Sequence, residues 1–222
     1  MKNFLIDLHL HTAKYSPCAQ TLDPWKLPCV LRERQLDGGT LTEHDRIWSV
    51  DEIQEIMQSD QYCLDGIRLY RGVEISTEYA HIVAMGLEDL QDVPPGVSLE
   101  RLITVAHEQE AALIWAHPYL GYHNLRPPEA HPNIAQLAKG IHAVEVRSSV
   151  TKGESSKRAQ QLAAKWGWIQ VGGSDAHTLE TVGTAATVLS FLPTSEKTLA
   201  LAIKKGQCTV SSSPLIEKQR CL

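Results

Sequence analysis

Short apolar runs that alternate with stretches of helical periodicity constrain most strongly what this chain of 222 residues can fold into. Each run has the length of a buried β-strand rather than of a helix. Strands that alternate with helices usually form a parallel sheet with helical crossovers, so the chain is predicted to be an α/β protein. The runs lie at residues 4–10, 39–42, 67–75, 81–87, 111–116, 142–146, 168–172 and 185–189.

Helices are predicted between several of these runs. Ser98 is a candidate N-cap, because residues 99–106 carry apolar side chains at helical spacing directly after it. Another helix is expected over residues 154–166, where Gly167 suits the C-terminal turn. A helix that starts near Pro24 would be disturbed by Pro28. Shorter helices are expected at residues 51–59 and 195–205.

Composition excludes several classes of protein. An apolar content of 43% supports a sizeable core, and a net charge of −5 gives no clear nucleic-acid-binding surface. The 5 cysteines are odd in number and lack CxxC spacing, which predicts no disulfide framework and a reducing compartment. We find no signal-peptide pattern, no apolar run of membrane length and no linker. We therefore expect one cytoplasmic domain over residues 1–222 without a membrane partner, and the sequence does not indicate its oligomeric state.

The first apolar run ends in a cluster of metal-capable residues. Side chains two apart on a strand point the same way, so Asp7, His9 and His11 should share one face. Two imidazoles and a carboxylate at a strand end form half of a metal site. Polar side chains that merely face solvent would give the same local pattern.

Recurrence of this arrangement favours the metal site. Other apolar runs end, or in one case begin, with His44 and Asp45, Glu74, His81, His117, Glu145, and Asp175 with His177. A single instance would fit a core histidine or a helix cap, but the repetition indicates a centre with more than one ion. Mixed nitrogen and oxygen ligands suit Zn²⁺, Mn²⁺ or Fe, and the candidates outnumber the needs of one ion. We expect two or three divalent ions, with Glu74 as a bridging carboxylate and hydrolysis of a phosphate ester as the chemistry.

The motifs, taken in order, resemble those of the PHP family, named for its polymerase and histidinol phosphatase members. They are Asp-Leu-His-Leu-His-Thr, Thr-Glu-His-Asp, Gly-Val-Glu-Ile-Ser, His-Ile-Val, Ala-His-Pro and Gly-Ser-Asp-Ala-His. The resemblance runs from about residue 6 to residue 177. It implies a distorted seven-stranded (β/α) barrel of the TIM-barrel type, which usually holds three metal ions at the carboxyl ends of the strands. Many members hydrolyse phosphoesters.

The resemblance also implies a metal ligand set, in which Glu74 bridges the first and second ions. The first ion would have His9, His11 and Asp175, the second His81 and His117, and the third His44 and His177.

Two positions leave alternatives open. Family members usually have an Asp or a His five to seven residues after the second histidine of the first motif, whereas this chain has Cys18 at that distance. Cys18 could bind the third ion as a thiolate, which favours zinc, or that ion site could be weak or empty. We expect instead that Cys18 is a buried, inert packing residue. Asp7 is expected to orient the ring of His9 or His11 from behind, and Glu145 is a weaker candidate for the site.

The expected function is a metal-dependent phosphoesterase that cleaves a small phosphomonoester, such as a nucleotide or a sugar phosphate, with a metal-activated hydroxide. His177 or Asp45 would assist proton transfer, while Arg147 and Arg46 are candidates to bind the phosphate. A metal-dependent hydrolase of a C–N bond and a non-catalytic metal-binding domain are the alternatives.

Overall fold

The protein is described by a computed structural model over residues 2–59, 66–120 and 126–211. The β-strands of this part are β1 (Phe4–Leu10), β2 (Gly38–Leu41), β3 (Arg68–Ser76), β4 (His81–Met85), β5 (Ala112–Trp115), β6 (Ala143–Arg147), β7 (Ile169–Gly172), β8 (Thr187–Leu189) and β9 (Cys208–Val210). The α-helices are α1 (Leu27–Glu33), α2 (Val50–Gln58), α3 (Leu99–Glu108), α4 (Ile134–Leu137), α5 (Gly153–Trp166) and α6 (Glu196–Lys204). All eight predicted strands are present, and β9 was not predicted.

The strands form one sheet in the order β7-β6-β5-β4-β3-β2-β1-β8-β9. Its two edge strands, β7 and β9, contact each other, so the sheet is a nearly closed barrel. The strand count differs from the seven that the resemblance implies. Strands β1 to β7 lie side by side in sequence order, and β8 and β9 add an antiparallel pair beside β1.

The sheet is mixed, which corrects the prediction of a parallel sheet. Strand β4 runs antiparallel to both of its neighbours, β3 and β5. The connection between β3 and β4 spans only residues 77–80, which is too short for a crossover. It is a tight turn in which Thr77 Oγ1 donates to the carbonyl oxygen of Ala80 at 2.6 Å.

Local signals explain where most helices begin and end. The hydroxyl of Ser98 accepts a hydrogen bond from the amide of Arg101 and caps α3. Gly167 has φ of 71° and ends α5 in the left-handed conformation, as its position predicts. Pro28 lies in the first turn of α1, where a missing N–H costs nothing, so it starts this helix instead of disturbing it.

Helices cover the outside of the sheet through three clusters of buried apolar side chains. Leu31 of α1 and Ile53 of α2 share a cluster with Leu41 of β2. A second cluster joins helices α3 and α5 to strands β3 to β6, and a third joins α6 to side chains of β1 and of β3 to β8. Burial of these side chains is the main source of stability for the barrel.

Two further findings concern the cysteines and the length of the helices. Cys29 is disulfide-bonded, while Cys18 and Cys208 carry free thiols. Cysteine spacing did not predict a disulfide, because proximity in the fold rather than along the chain decides which cysteines pair. Among the residues described, no helix combines the length and the apolar character needed to cross a bilayer.

Strand directions determine where the candidate residues meet. Strands β1, β2, β3, β5, β6 and β7 all run the same way, so their carboxyl ends share one end of the barrel. Because β4 runs the opposite way, its first residue, His81, lies at that same end. This explains why His81 begins its apolar run while the other candidates follow theirs.

Candidate metal centre

The carboxylate of Glu74, fully buried at the end of β3, is the centre of the site. Its Oε1 lies 3.1 Å from His81 Nδ1 and 2.9 Å from His117 Nε2. Its Oε2 faces three further imidazoles, 3.4 Å from His9 Nε2, 3.2 Å from His11 Nε2 and 3.1 Å from His44 Nδ1. One carboxylate therefore contacts five histidines through two separate oxygens.

Asp175 is the second carboxylate of the site. Its Oδ1 lies 3.6 Å from His9 Nε2, 3.4 Å from His11 Nε2 and 3.7 Å from His177 Nδ1. Asp175 has φ of 52° and His117 has φ of 25°, a backbone region that residues other than glycine seldom occupy. Such conformations concentrate at functional sites, where the surrounding structure holds a side chain in a required direction.

Metal cations fit this donor set. Three triads bring their ligand atoms within 4.8 Å of one another: His9, His11 and Glu74; His44, Glu74 and His81; and His11, His44 and His177. Glu74 Oε2 and His117 Nδ1 are buried and have no hydrogen-bond partner among the residues that the structure describes. His9 Nε2 and His11 Nε2 lie only 3.1 Å apart. Buried polar atoms without partners are costly, and cations placed among these nitrogens and oxygens would satisfy them.

Electrostatics keep the carboxylates of the site ionised. Burial alone would raise the pKa of Glu74, but the imidazoles around it, His9 foremost, hold that pKa well below its usual value. Burial also opposes the charged form of His9, yet the carboxylates of Glu74 and Asp175 raise its pKa well above the usual value. Burial lowers the pKa of His44 to about 4 and also lowers that of His177. Protons and metal cations therefore compete for the nitrogens beside the carboxylates.

Glu145, the weaker candidate from the sequence, supports two of these histidines from behind. Its Oε1 lies 3.2 Å from His9 Nδ1, and its Oε2 accepts a hydrogen bond of 3.1 Å from the amide of His117. A carboxylate behind a ligating imidazole fixes the orientation of the ring and makes it more basic.

Asp7 does not have that role, so the expectation that it orients a histidine ring was wrong. Its carboxylate accepts hydrogen bonds from three backbone amides, those of His9 at 3.2 Å, Ser174 at 2.7 Å and Gly183 at 2.9 Å. Asp7 thus ties the end of β1 to the segment that carries Asp175. Strand periodicity gives the face on which Asp7 lies, but two of its three partners, Ser174 and Gly183, lie more than 160 positions away.

A second buried carboxylate, Glu43, supports His11 and was missed by the sequence analysis. His11 Nδ1 lies 3.3 Å from Ser16 Oγ, and that hydroxyl donates to Glu43. Glu43 also accepts from the amide of Thr12 at 3.1 Å and from Trp48 Nε1 at 3.0 Å. The only signal for Glu43 was its position beside His44 in the Thr-Glu-His-Asp motif.

The candidates for catalysis and phosphate binding are placed differently from one another. His177 lines the cavity above the centre, with its Nδ1 at 3.0 Å from the carbonyl oxygen of Asp175. Asp45 accepts a hydrogen bond of 2.8 Å from the amide of Ser76. Arg147 donates to the carbonyl oxygen of Ser211 at 2.7 Å. Arg46 places its guanidinium 3.7 Å from the ring centre of Tyr15. Of these four residues, only His177 lines the cavity.

A cavity of about 380 Å³ opens above the carboxylates and histidines. Cys18 lines it and is exposed, so the expectation that Cys18 is buried was wrong. None of the triads found among the described residues includes the sulfur of Cys18. The rest of the wall comes from residues that the sequence analysis did not name, namely Leu120, Ser149, Val150, Thr178 and Thr181. They lie in loops after β5, β6 and β7, where no periodicity marks them.

Comparisons with known proteins agree with this geometry. The family model described as PHP-associated matches residues 153–208. The crystal structure of PsfC from Pseudomonas syringae PB-5123 has a TM-score of 0.67 and 20% identity, with 96% of this chain and 93% of that chain covered. A two-domain protein from Bacteroides vulgatus, described as containing a predicted PHP-like metal-dependent phosphoesterase, has a TM-score of 0.67 and 19% identity. That match covers 95% of this chain and 65% of the other, so this chain spans about two thirds of the two-domain protein.

A third solved structure is the lesion-specific endonuclease PfuEndoQ from Pyrococcus furiosus, with a TM-score of 0.57 and 13% identity. The match covers 94% of this chain and 58% of the endonuclease. No curated protein matches the chain. At these identities the solved structures establish the fold alone, and the PHP-associated model that matches residues 153–208 supports the resemblance to the PHP family.

Proposed function

We propose that this chain is a member of the PHP family and a metal-dependent hydrolase of phosphate esters that acts on a small phosphomonoester, such as a nucleotide or a sugar phosphate. One observation carries the proposal. Both oxygens of a single buried carboxylate, Glu74, face separate groups of imidazoles, which is the arrangement of a carboxylate that bridges two cations.

The proposed ligand set follows the motifs and the distances. Asp175 faces the rings of His9 and His11, and Glu74 faces every histidine of the set except His177. As the motif resemblance implies, the first ion would have His9, His11 and Asp175, the second His81 and His117, and the third His44 and His177, with Glu74 shared by the first two. Glu145 would orient His9, and the Ser16–Glu43 pair would orient His11.

Divalent ions bound there would acidify a water molecule and neutralise charge that develops on the phosphoryl oxygens. The side chains of this chain would do the rest. Because burial lowers the pKa of His177, its imidazole is neutral near pH 7. If Nδ1 donates to the carbonyl oxygen of Asp175, then Nε2 keeps the lone pair required of a ligand or of a proton acceptor. Asp45, whose carboxylate holds a backbone amide, is the less suitable proton carrier.

A substrate panel tests the proposal. The protein, loaded with Mn²⁺ or Zn²⁺ and analysed for metal content, is incubated with p-nitrophenyl phosphate, nucleoside monophosphates, a single-stranded oligonucleotide and amide substrates. We expect release of phosphate from monoesters by the wild type and not by Glu74→Gln prepared identically. Cleavage confined to amides would favour a C–N hydrolase. A metal-loaded protein inert toward the whole panel would favour a non-catalytic metal-binding domain.

A further inference from the structure

We propose that the substrate carries a single anionic group, the phosphate, on a small neutral alcohol, and that Leu120 and Val150 select for this neutrality. The inference rests on the proposed function and specifies its substrate class. It derives from the wall of the cavity rather than from the metal ligands.

Among the described residues, those of the wall above the centre are apolar or neutral. Leu120 and Val150 contribute aliphatic side chains to it, and Ser149, Thr178 and Thr181 contribute hydroxyls. Thr181 Oγ1 donates within its own turn to the carbonyl oxygen of Thr178 at 3.0 Å. Within residues 2–59, 66–120 and 126–211, no lysine or arginine lines the cavity. A volume of about 380 Å³ accommodates a phosphate and one small organic group.

Two arginines that lie near residues of the wall, Arg147 and Arg158, contact other groups. Arg147, two residues before Ser149, donates to the carbonyl oxygen of Ser211 at 2.7 Å. Arg158 places its guanidinium 4.0 Å from the ring centre of Tyr119, which precedes Leu120. A second anionic group on a substrate would therefore find no described cation on the wall unless one of these contacts broke.

Buried carboxylates make that second anion more costly. Glu74 and Asp175 line the floor of the cavity, and Glu43, Glu145 and Asp7 are buried behind it. Bound cations would balance part of this negative charge and hold the phosphate of every substrate, which leaves the organic group against the wall. A group with its own carboxylate or phosphate would lose water and gain no partner at an apolar wall. Phosphorylated acids, nucleoside polyphosphates and nucleic-acid strands should accordingly be poor ligands.

A matched pair of stable analogues tests this selectivity by binding alone. Phenylphosphonate and 4-carboxyphenylphosphonate differ only in one carboxylate, and neither has an ester bond to hydrolyse. Calorimetry with Mn²⁺-loaded wild type should show about tenfold tighter binding of phenylphosphonate, since a carboxylate that loses water at an apolar wall gains no partner there. Equal affinities, or tighter binding of the carboxylated analogue, would overturn the inference.

A lysine on the wall should reverse the preference. Val150 is 43% exposed and lines the cavity, whereas Val50 is 51% exposed and lies at the start of α2, outside the cavity lining. Val150→Lys should tighten binding of 4-carboxyphenylphosphonate by about fivefold, and Val50→Lys should leave both affinities unchanged. The same effect from both variants, or none from Val150→Lys, would contradict the assignment of Val150.

Hydrolysis of the corresponding phosphate esters separates the two proposals. If phenyl phosphate and 4-carboxyphenyl phosphate are cleaved with equal kcat/KM, the protein is a phosphoesterase, but the proposed preference for a neutral organic group is refuted. If neither ester is cleaved, the proposed phosphoesterase activity is refuted. The ratio of the two phosphonate affinities still decides whether the cavity prefers a neutral organic group. If neither phosphonate binds, both proposals are overturned.

Discussion

A single methyl group added at Gly173 would test whether packing behind His9 maintains the metal centre. A Cβ at this position would lie 2.6 Å from His9 Cβ, 2.9 Å from His9 N and 3.0 Å from Glu145 Oε1. Carbon atoms in contact normally lie about 3.5–4.0 Å apart, so the chain at Gly173 or His9 must move by about 1 Å. That movement would separate His9 from the carboxylate that orients its ring.

Two magnitudes follow from this geometry. Overpacking in a close-packed interior costs about 1–3 kcal/mol, which for a chain of this size lowers Tm by about 2–4 °C per kcal/mol. Loss of the carboxylate behind a ligating imidazole typically lowers metal affinity by about 10–100-fold. Gly173→Ala should therefore show moderate destabilisation together with a marked loss of metal affinity, measured by thermal unfolding and by metal titration.

Gly140 supplies the matched control. A Cβ there would lie 2.4 Å from Ile103 Cγ2, in a groove outside the lining of the metal cavity. Gly140→Ala should lose at least as much stability as Gly173→Ala and keep wild-type metal affinity. If both variants bind metal like the wild type, the packing of Gly173 against His9 and Glu145 does not control the site.

Three further predictions concern single side chains. Glu74→Gln should lose more than about nine tenths of the activity, because a neutral amide cannot balance two cations. Circular dichroism should show that the barrel stays folded. If the variant keeps more than about a tenth of the wild-type activity, Glu74 does not bridge two ions. Cys18→Ser should leave the metal stoichiometry unchanged by elemental analysis, since the sulfur belongs to none of the triads of described residues, and loss of one ion would reverse this assignment. Burial opposes ionisation of Glu52, but hydrogen bonds from Lys14, Tyr15 and Ser49 lower its pKa from 4.5 to about 2. The contribution of the Glu52 carboxylate to stability is thus complete above pH 4.5 and lost as the pH falls toward 2. In urea unfolding, Glu52→Gln should therefore lower the free energy of unfolding by about 1 kcal/mol at pH 7 and by almost nothing near pH 2.

The apolar runs predicted the strands because buried strands are rich in apolar residues. The sequence did not predict strand β9, since Cys208–Val210 is only 3 residues long and its middle residue is exposed. The sequence also did not predict that the sheet is mixed, because strand direction depends on how the connections fold. His81 illustrates the consequence, since its position at the start of a run made sense only when β4 proved to run antiparallel.

Candidate ligands were predictable because they follow apolar runs whose strand ends must converge. Their supporting residues were not, since hydrogen-bond partners depend on tertiary contacts. Asp7 and Glu145 show this clearly. Asp7, two positions from His9, accepts hydrogen bonds from backbone amides, whereas Glu145, 136 positions from His9, lies beside its ring. The cavity wall was the least predictable part, because Leu120 and Val150 lie in loops without periodicity.

Anomalous scattering from Mn²⁺-soaked crystals, measured at the manganese absorption edge, tests most directly the claim that Glu74 bridges two ions. The account predicts two or three peaks within the cavity lined by His44, His81, His117 and Asp175, with two peaks on opposite oxygens of Glu74. A single peak, or peaks that leave either oxygen of Glu74 without a cation, would contradict it.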